Sequence, residues 1–212
     1  MKRLVFLSSI KVNGESTSPG RPFTTNDDPA PQDSYGVSKL EAERGLRALA
    51  EKTGLEVVII RPVLVYGPGV GANFLALMKL IRTGMLLPLG AIDNQRSFLA
   101  LENLVDFVFA SLRHPAAANK TFLVSDGEDV STPALVRGIA AAMNRRVRLL
   151  PVPEPMLRTG GKILGRSAVV DRLCGWLQAD ISRTRTALQW APPIRLSEGI
   201  HRTVRHFLEN QE

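Results

Sequence analysis

The sequence predicts an α/β fold, made of the C-terminal part of a doubly wound parallel sheet and a smaller mixed α/β region. The apolar run LVFLS over residues 4–8 and the β-branched run EVVIIR over residues 56–61 are typical of buried strands. A helical pattern over residues 34–52 lies between them. This strand–helix–strand order indicates two parallel strands that are joined by a crossover helix.

The remaining elements are predicted from the same signals in chain order. A polar loop rich in proline and glycine, residues 10–33, connects the first strand to the first helix, which Gly54 is expected to end. Further helices are predicted over residues 73–82, 102–113, 132–144, 154–178, 181–189 and 197–209. Further strands are predicted over residues 97–101, 120–125 and 147–151.

Composition and charge exclude several classes of protein. Among the 212 residues no apolar run reaches the length of a membrane span, so we expect a cytoplasmic protein without a membrane partner. The single cysteine, Cys174, excludes a disulfide framework, and the histidines lack metal-ligand spacing, so no metal site is expected. From Arg137 to Arg205 there are 13 basic and 4 acidic residues. This excess suits an anionic ligand, and without interleaved aromatic residues it favours a small phosphorylated molecule over nucleic acid.

Three groups of residues are expected at the carboxyl ends of parallel strands, where ligands bind in doubly wound sheets. Ser8 and Ser9 end the first strand, Tyr35 and Lys39 begin the following helix, and RPVLVYGP over residues 61–68 ends the next strand. Residues four apart share a helix face, so the Lys39 ammonium should lie near the Tyr35 phenol and stabilise its phenolate. The pattern indicates a tyrosine general base, with Ser9 holding the same substrate oxygen. The alternative is an exposed helix pair without function.

Together these motifs resemble the extended short-chain dehydrogenase/reductase family, whose NAD-dependent epimerases and dehydratases include UDP-galactose 4-epimerase. FLSSIKVNGE over residues 6–15 is similar to the family's serine-bearing strand end, and YGVSKLEAE over residues 35–43 to its catalytic helix. DISRTRTALQWAP over residues 180–192 resembles its C-terminal signature. The resemblance implies a truncated Rossmann-like domain at residues 1–68, which carries the catalytic part. Residues 69–212 would be mainly a substrate-binding region that returns to the sheet around residues 120–125.

The resemblance also implies roles for individual residues. Catalytic roles fall on Ser9, Tyr35 and Lys39. Cofactor contacts are implied for Ser8, Tyr35, Lys39, Pro62 and Val65, and substrate contacts for Asn73, Leu87, Pro88, Leu89, Arg96 and Arg172. Arg96 would bind the diphosphate, whereas a plain surface arginine is the alternative for Arg172. The implied reaction is hydride transfer at C4 of a UDP-sugar with NAD or NADP, in a homodimer formed through the 34–52 helix.

Two departures from the family pattern matter. Asn13 stands where the family has a tyrosine, a variant similar to bacterial enzymes that act on UDP-N-acetylated sugars in lipopolysaccharide synthesis. No Gly-x-x-Gly-x-x-Gly phosphate loop is present, so the cofactor-binding front half would have to be encoded upstream or supplied separately. Epimerase, 4-keto reductase and a nucleotide-sugar-binding module without turnover therefore stay open, as does NAD against NADP.

Overall fold

The fold is given by a computed structural model that describes residues 2–210. Its strands are β1 (Arg3–Leu7), β2 (Glu56–Pro62), β3 (Leu64–Tyr66), β4 (Arg96–Ala100), β5 (Thr121–Val124) and β6 (Asp129–Val130). Its helices are α1 (Ser34–Thr53), α2 (Ala72–Arg82), α3 (Leu101–Arg113), α4 (Thr132–Ala142), α5 (Glu154–Ile163), α6 (Ser167–Cys174), α7 (Ser182–Leu188) and α8 (Leu196–Glu209). Short 3₁₀ turns cover Ile10–Val12 and Pro115–Ala117.

The main sheet is parallel and has the strand order β1-β2-β5. Its register pairs Arg3 with Glu56 at one end of β1 and Leu7 with Ile60 at the other. β2 is the central strand, and its residues 57–61 are buried, as expected for a parallel strand that is covered on both faces. The α/β fold with parallel strands is therefore confirmed. A second three-stranded sheet has the order β3-β4-β6.

The chain divides into two compact units, which we call the first and second unit. The first contains the described residues up to Val65, then Ser97–Glu128 and Leu177–Arg195. The second contains Tyr66–Arg96, Asp129–Trp176 and the described residues from Leu196 onward. Each unit therefore draws on three separate stretches of sequence.

The core of the first unit lies around the central strand of the main sheet. Phe107 of α3 is fully buried, and its ring meets the rings of Phe122 and Trp190 edge to face, at centroid distances of 5.6 and 4.9 Å. Such contacts add to the hydrophobic gain of burial. Trp190 also donates its indole N–H to Asp106 at 2.7 Å. The tryptophan of the C-terminal signature is thus a core residue.

The second unit is built mainly from helices. Tyr66 is buried, stacks on Phe74 of α2 at a centroid distance of 5.5 Å and donates its hydroxyl to the Leu196 carbonyl. Its ring lies so close to α8 that a Cβ at Gly199 would come within 2.4 Å of the Tyr66 hydroxyl oxygen. A glycine is therefore required there by close approach rather than by its backbone angles.

Most predicted elements are present with bounds shifted by one or two residues, but two predictions are wrong. The predicted strand over residues 147–151 is only an isolated bridge between Leu149 and Leu87. The predicted helix over residues 154–178 is split into α5 and α6, because Gly165 adopts a left-handed φ of 63°. In the described part of the chain, no helix is long and apolar enough to cross a membrane.

Candidate active site

The predicted catalytic residues lie where β1 ends and α1 begins. Ser9 follows β1, and its Oγ accepts the Lys11 N–H at 3.2 Å, which caps the 3₁₀ turn. The Lys39 Nζ donates to the Leu7 carbonyl at 3.0 Å, at the end of the same strand. It also lies 5.7 Å from the centroid of the Tyr35 ring. The structure therefore brings the Lys39 ammonium together with the Tyr35 ring and with the end of β1.

The first turn of α1 is fixed against the turn that follows β1. Asp33 caps the helix by accepting the Gly36 N–H at 2.7 Å, and it also forms an ion pair with Lys11. The hydrogen bonds from Lys11 and from the Gly36 N–H lower the pKa of Asp33. A Cβ on Gly36 would lie 2.9 Å from the Pro31 side chain and 3.0 Å from the Lys11 carbonyl. This close contact positions Tyr35, whose side chain stays 49% exposed and open to a ligand.

A buried polar network lies directly behind these groups, and sequence reasoning did not find it. Glu43 of α1 is 1% exposed and accepts three hydrogen bonds. The Ser8 hydroxyl donates to Oε1 at 2.5 Å, and the Arg61 guanidinium donates to Oε1 at 2.9 Å and to Oε2 at 2.6 Å. Arg61 is itself 4% exposed, so the pair is well removed from water. The available signal was an arginine inside the buried run EVVIIR.

Asn13 completes this network. Its Oδ1 accepts from Arg61 at 3.0 Å, and its Nδ2 donates to the Thr24 carbonyl at 2.9 Å. The side chain is 2% exposed, so at this position the asparagine supports Arg61 instead of presenting a side chain to a ligand. The buried Ser8 hydroxyl likewise donates into this network. The next residue, Ser9, is only half-buried, so its hydroxyl is the more accessible of the two.

A second cluster of predicted residues lies in the second unit. Arg96 donates from one terminal nitrogen to the Arg172 carbonyl at 2.9 Å and to the Gly175 carbonyl at 3.1 Å. Burial of the guanidinium, and then the charge of Arg172, lower the pKa of Arg96. Two neighbouring cations of this kind are stabilised by an anion such as a diphosphate. The structure thus brings Arg96 and Arg172 together.

Asn94 holds the backbone around this arginine pair, and no sequence motif marks it. It is fully buried, and its Nδ2 donates to the carbonyls of Leu173 at 3.1 Å and Gly175 at 2.9 Å. Its Oδ1 accepts the Thr132 N–H at 2.9 Å. Asn94 lies two residues before Arg96 and therefore links the end of α6 to the start of α4.

The other predicted ligand-binding residues differ in how exposed they are. Asn73 is exposed in the first turn of α2, and Pro88 is exposed in the segment that follows that helix. Leu87 and Leu89 are 3% and 6% exposed, because the 87–90 segment is hydrogen-bonded to residues 148–150 and turns these side chains into the core. Pro62 and Val65, at the end of β2 and in β3, are half-buried.

Comparison with known proteins identifies the family. The family model described as the NAD dependent epimerase/dehydratase family matches residues 1–125, which include β1, α1 and β2. The chain belongs to this family. A UDP-glucose 4-epimerase from Vibrio cholerae is 52% identical over 210 residues, covering 99% of this chain and 64% of the relative.

Two more distant proteins are similar to this chain, one in sequence and one in fold. The N-acetyl-α-D-glucosaminyl-diphospho-ditrans,octacis-undecaprenol 4-epimerase of Escherichia coli O157:H7 is 28% identical over 97% of this chain and 65% of its own length. The crystal structure of UDP-glucose 4-epimerase from Thermotoga maritima superposes with a TM-score of 0.75 at 20% identity, over all of this chain and 65% of that one. The chain therefore spans somewhat less than two thirds of the relatives it matches here.

Proposed function

We propose that this chain carries the catalytic and diphosphate-binding residues of a nucleotide-sugar 4-epimerase or 4-keto reductase. The observation that carries the proposal is the position of Lys39, whose Nζ lies between the Leu7 carbonyl at the end of β1 and the Tyr35 ring. The 52% identity to a UDP-glucose 4-epimerase supports the same reaction class. The sugar position at which such enzymes act is C4.

In this mechanism, Tyr35 exchanges a proton with the C4 hydroxyl. The phenolate oxygen takes the hydroxyl proton while the C4–H bond breaks, and Lys39 stabilises the phenolate by its positive charge. Ser9 donates a hydrogen bond to the same sugar oxygen. In the return step, the protonated Tyr35 gives the proton back to the oxygen of the 4-keto sugar. An epimerase performs both steps and a 4-keto reductase only the second.

The chain's own residues fit one end of the cofactor. NAD or NADP, when bound, accepts and returns the hydride of C4. Lys39 and Tyr35 would hold its nicotinamide ribose, and half-buried Pro62 and Val65 offer an apolar wall for the ring. No glycine-rich phosphate loop occurs in the 212 residues, so these residues would not hold the cofactor's diphosphate.

Arg96 and Arg172 would bind the diphosphate of the substrate. Arg96 is preoriented by its bonds to the carbonyls of Arg172 and Gly175, so little side-chain entropy remains to be lost on binding. Asn73 and Pro88 are exposed in the same unit and are available to the sugar or base. A UDP-sugar is the substrate that we propose.

The test of this assignment is the affinity of the chain for UDP. Arg96→Ala should weaken UDP binding about tenfold or more, because a charge-assisted contact to phosphate is lost. Arg145→Ala, an exposed arginine of the same unit, is the matched control and should leave the affinity unchanged. Equal UDP affinity of Arg96→Ala and the unaltered chain, measured by calorimetry, would show that the arginine pair does not bind the diphosphate.

We also propose that two copies pair through α1. Leu49 is 44% exposed and Val37 42%, so α1 presents apolar surface in addition to the catalytic residues. Pairing would bury this surface around a two-fold axis. Analytical ultracentrifugation tests the idea: a Leu49→Glu chain should be monomeric at concentrations where the unaltered chain dimerises, and an unaltered chain that is monomeric throughout contradicts it.

A further inference from the structure

Helices α5 and α6 form a hairpin whose tip carries exposed apolar and basic residues. They pack closely, since a Cβ on Gly161 would lie 2.6 Å from a methyl group of Val170. Arg158 forms ion pairs with Glu154 of its own helix and with Asp171 of α6, and so links the two helices. We call Lys162–Arg166, which comprises the last two residues of α5 and the three residues before α6, the hairpin tip. The hairpin is therefore a braced element with a short loop at its end.

The hairpin carries the three most exposed large apolar side chains of residues 2–210. Ile163 is 79% exposed, Leu164 73% and Met156 65%. Two of the three are adjacent in the tip. The free energy falls when such an apolar side chain is removed from water. Exposure to this degree therefore indicates a surface that binds a partner.

The charges beside these side chains indicate the kind of surface that the hairpin tip contacts. Lys162 and Arg166 flank Ile163 and Leu164, and both are exposed. The stretch from residue 159 to 170 contains no acidic residue, and the two carboxylates of the hairpin are both bound by Arg158. Aliphatic side chains between cations match a lipid interface, where apolar chains lie beneath anionic phosphates. Nucleic acid would instead call for aromatic residues that stack on bases.

We propose that the hairpin tip docks on the surface of an anionic lipid bilayer. Ile163 and Leu164 enter the acyl boundary, while Lys162 and Arg166 bind lipid phosphates. The sequence predicted no membrane partner because it offered no spanning segment, but a surface contact needs only a few exposed apolar residues next to basic ones. This inference goes beyond the proposed reaction and holds or fails without it.

The docked geometry has a consequence for Arg172. It lies six residues beyond Arg166 on α6, which corresponds to roughly 9 Å along a helix. The arginine pair would then lie close to the headgroup layer.

The experiment measures co-sedimentation of the full 212-residue chain with vesicles of phosphatidylcholine alone and with phosphatidylglycerol added. Binding should be much stronger to the anionic vesicles and should fall as salt is raised. Lys162→Gln with Arg166→Gln should weaken binding to them by about 25-fold, roughly fivefold for each basic residue removed. Ile163→Ser with Leu164→Ser should weaken binding at least about tenfold.

The matched control is Met85→Ser with Leu86→Ser, an adjacent apolar pair of the same unit that is 59% and 51% exposed. It should bind vesicles like the unaltered chain. An Ile163→Trp chain should show a blue shift of its fluorescence only with anionic vesicles. The proposal is wrong if the unaltered chain does not sediment with anionic vesicles, or if both tip variants bind them normally. Self-association that only the tip variants abolish would likewise overturn it, in favour of a second copy as the partner.

Discussion

Replacement of Glu43 by glutamine probes the network that supports the candidate catalytic residues. The substitution keeps the size of the side chain but removes its charge. Arg61 makes two hydrogen bonds to the Glu43 carboxylate and one to Asn13, and it is only 4% exposed. In the variant its guanidinium would remain buried without a counter-charge, and the Ser8 hydroxyl would have to share the single remaining carbonyl oxygen.

The expected cost follows from this geometry. Breaking a buried ion pair by removal of one partner typically costs about 3–5 kcal/mol. A chain of this size loses about 2–4 °C in Tm for each kcal/mol, so Tm should fall by roughly 6–20 °C. Because the charges stabilise each other, Glu43→Gln with Arg61→Gln should cost about 2 kcal/mol less than the sum of the single changes.

Urea unfolding followed by far-ultraviolet circular dichroism measures these differences. Glu41→Gln, an exposed glutamate on the same helix, is the matched control and should change the free energy of unfolding by less than about 0.5 kcal/mol. If Glu43→Gln costs less than about 1 kcal/mol, or if the double-variant cost equals the sum of the singles, the network does not stabilise the fold as described.

Two further predictions concern pH and the cofactor. The pKa of Asp33 is lowered from its ordinary value of 3.8, so its stabilising effect is fully present above that value and is lost as the pH falls through the lower, folded-state pKa. Asp33→Ala should therefore lower Tm at pH 7 by about 2–4 °C and by progressively less in acid, and a constant difference from pH 7 to pH 2 would refute this cause. Titration calorimetry of the 212-residue chain with NAD and NADP should show binding weaker than about 1 mM, because a phosphate-binding helix N-terminus after a glycine-rich loop is missing from the sequence, and micromolar affinity would contradict this.

The sequence predicted the elements whose pattern is local. α1 was found because its helical pattern and Gly54 at its end agree, and β2 because a β-branched run is ended by Pro62. The three-residue β3 and two-residue β6 were missed, since they are too short to show alternation. The split of α5 from α6 was missed because a single Gly165 inside a helical pattern is often tolerated.

The candidate site was predictable only where its residues share a motif. Tyr35 and Lys39 are four residues apart, and helix geometry alone predicts that they are neighbours. The partners of Glu43 are 35 and 18 residues away in sequence, and only the pairing of β1 with β2 brings them to the same helix. The burial of Leu87 and Leu89 likewise depends on the contact with residues 148–150, which no local pattern signals.

The proposed function depends on one step, the proton exchange between Tyr35 and the sugar C4 hydroxyl. It is tested by joining the chain to the part of the Vibrio cholerae relative that it does not cover and measuring turnover of UDP-glucose and UDP-N-acetylglucosamine by NMR of the C4 epimers. Tyr35→Phe should lower turnover by roughly 10²–10⁴-fold with unchanged UDP affinity. Ser38→Ala, which removes an exposed hydroxyl that donates to the Tyr35 carbonyl, should retain turnover within about twofold. Turnover of Tyr35→Phe close to that of the unaltered protein would show that Tyr35 does not exchange this proton.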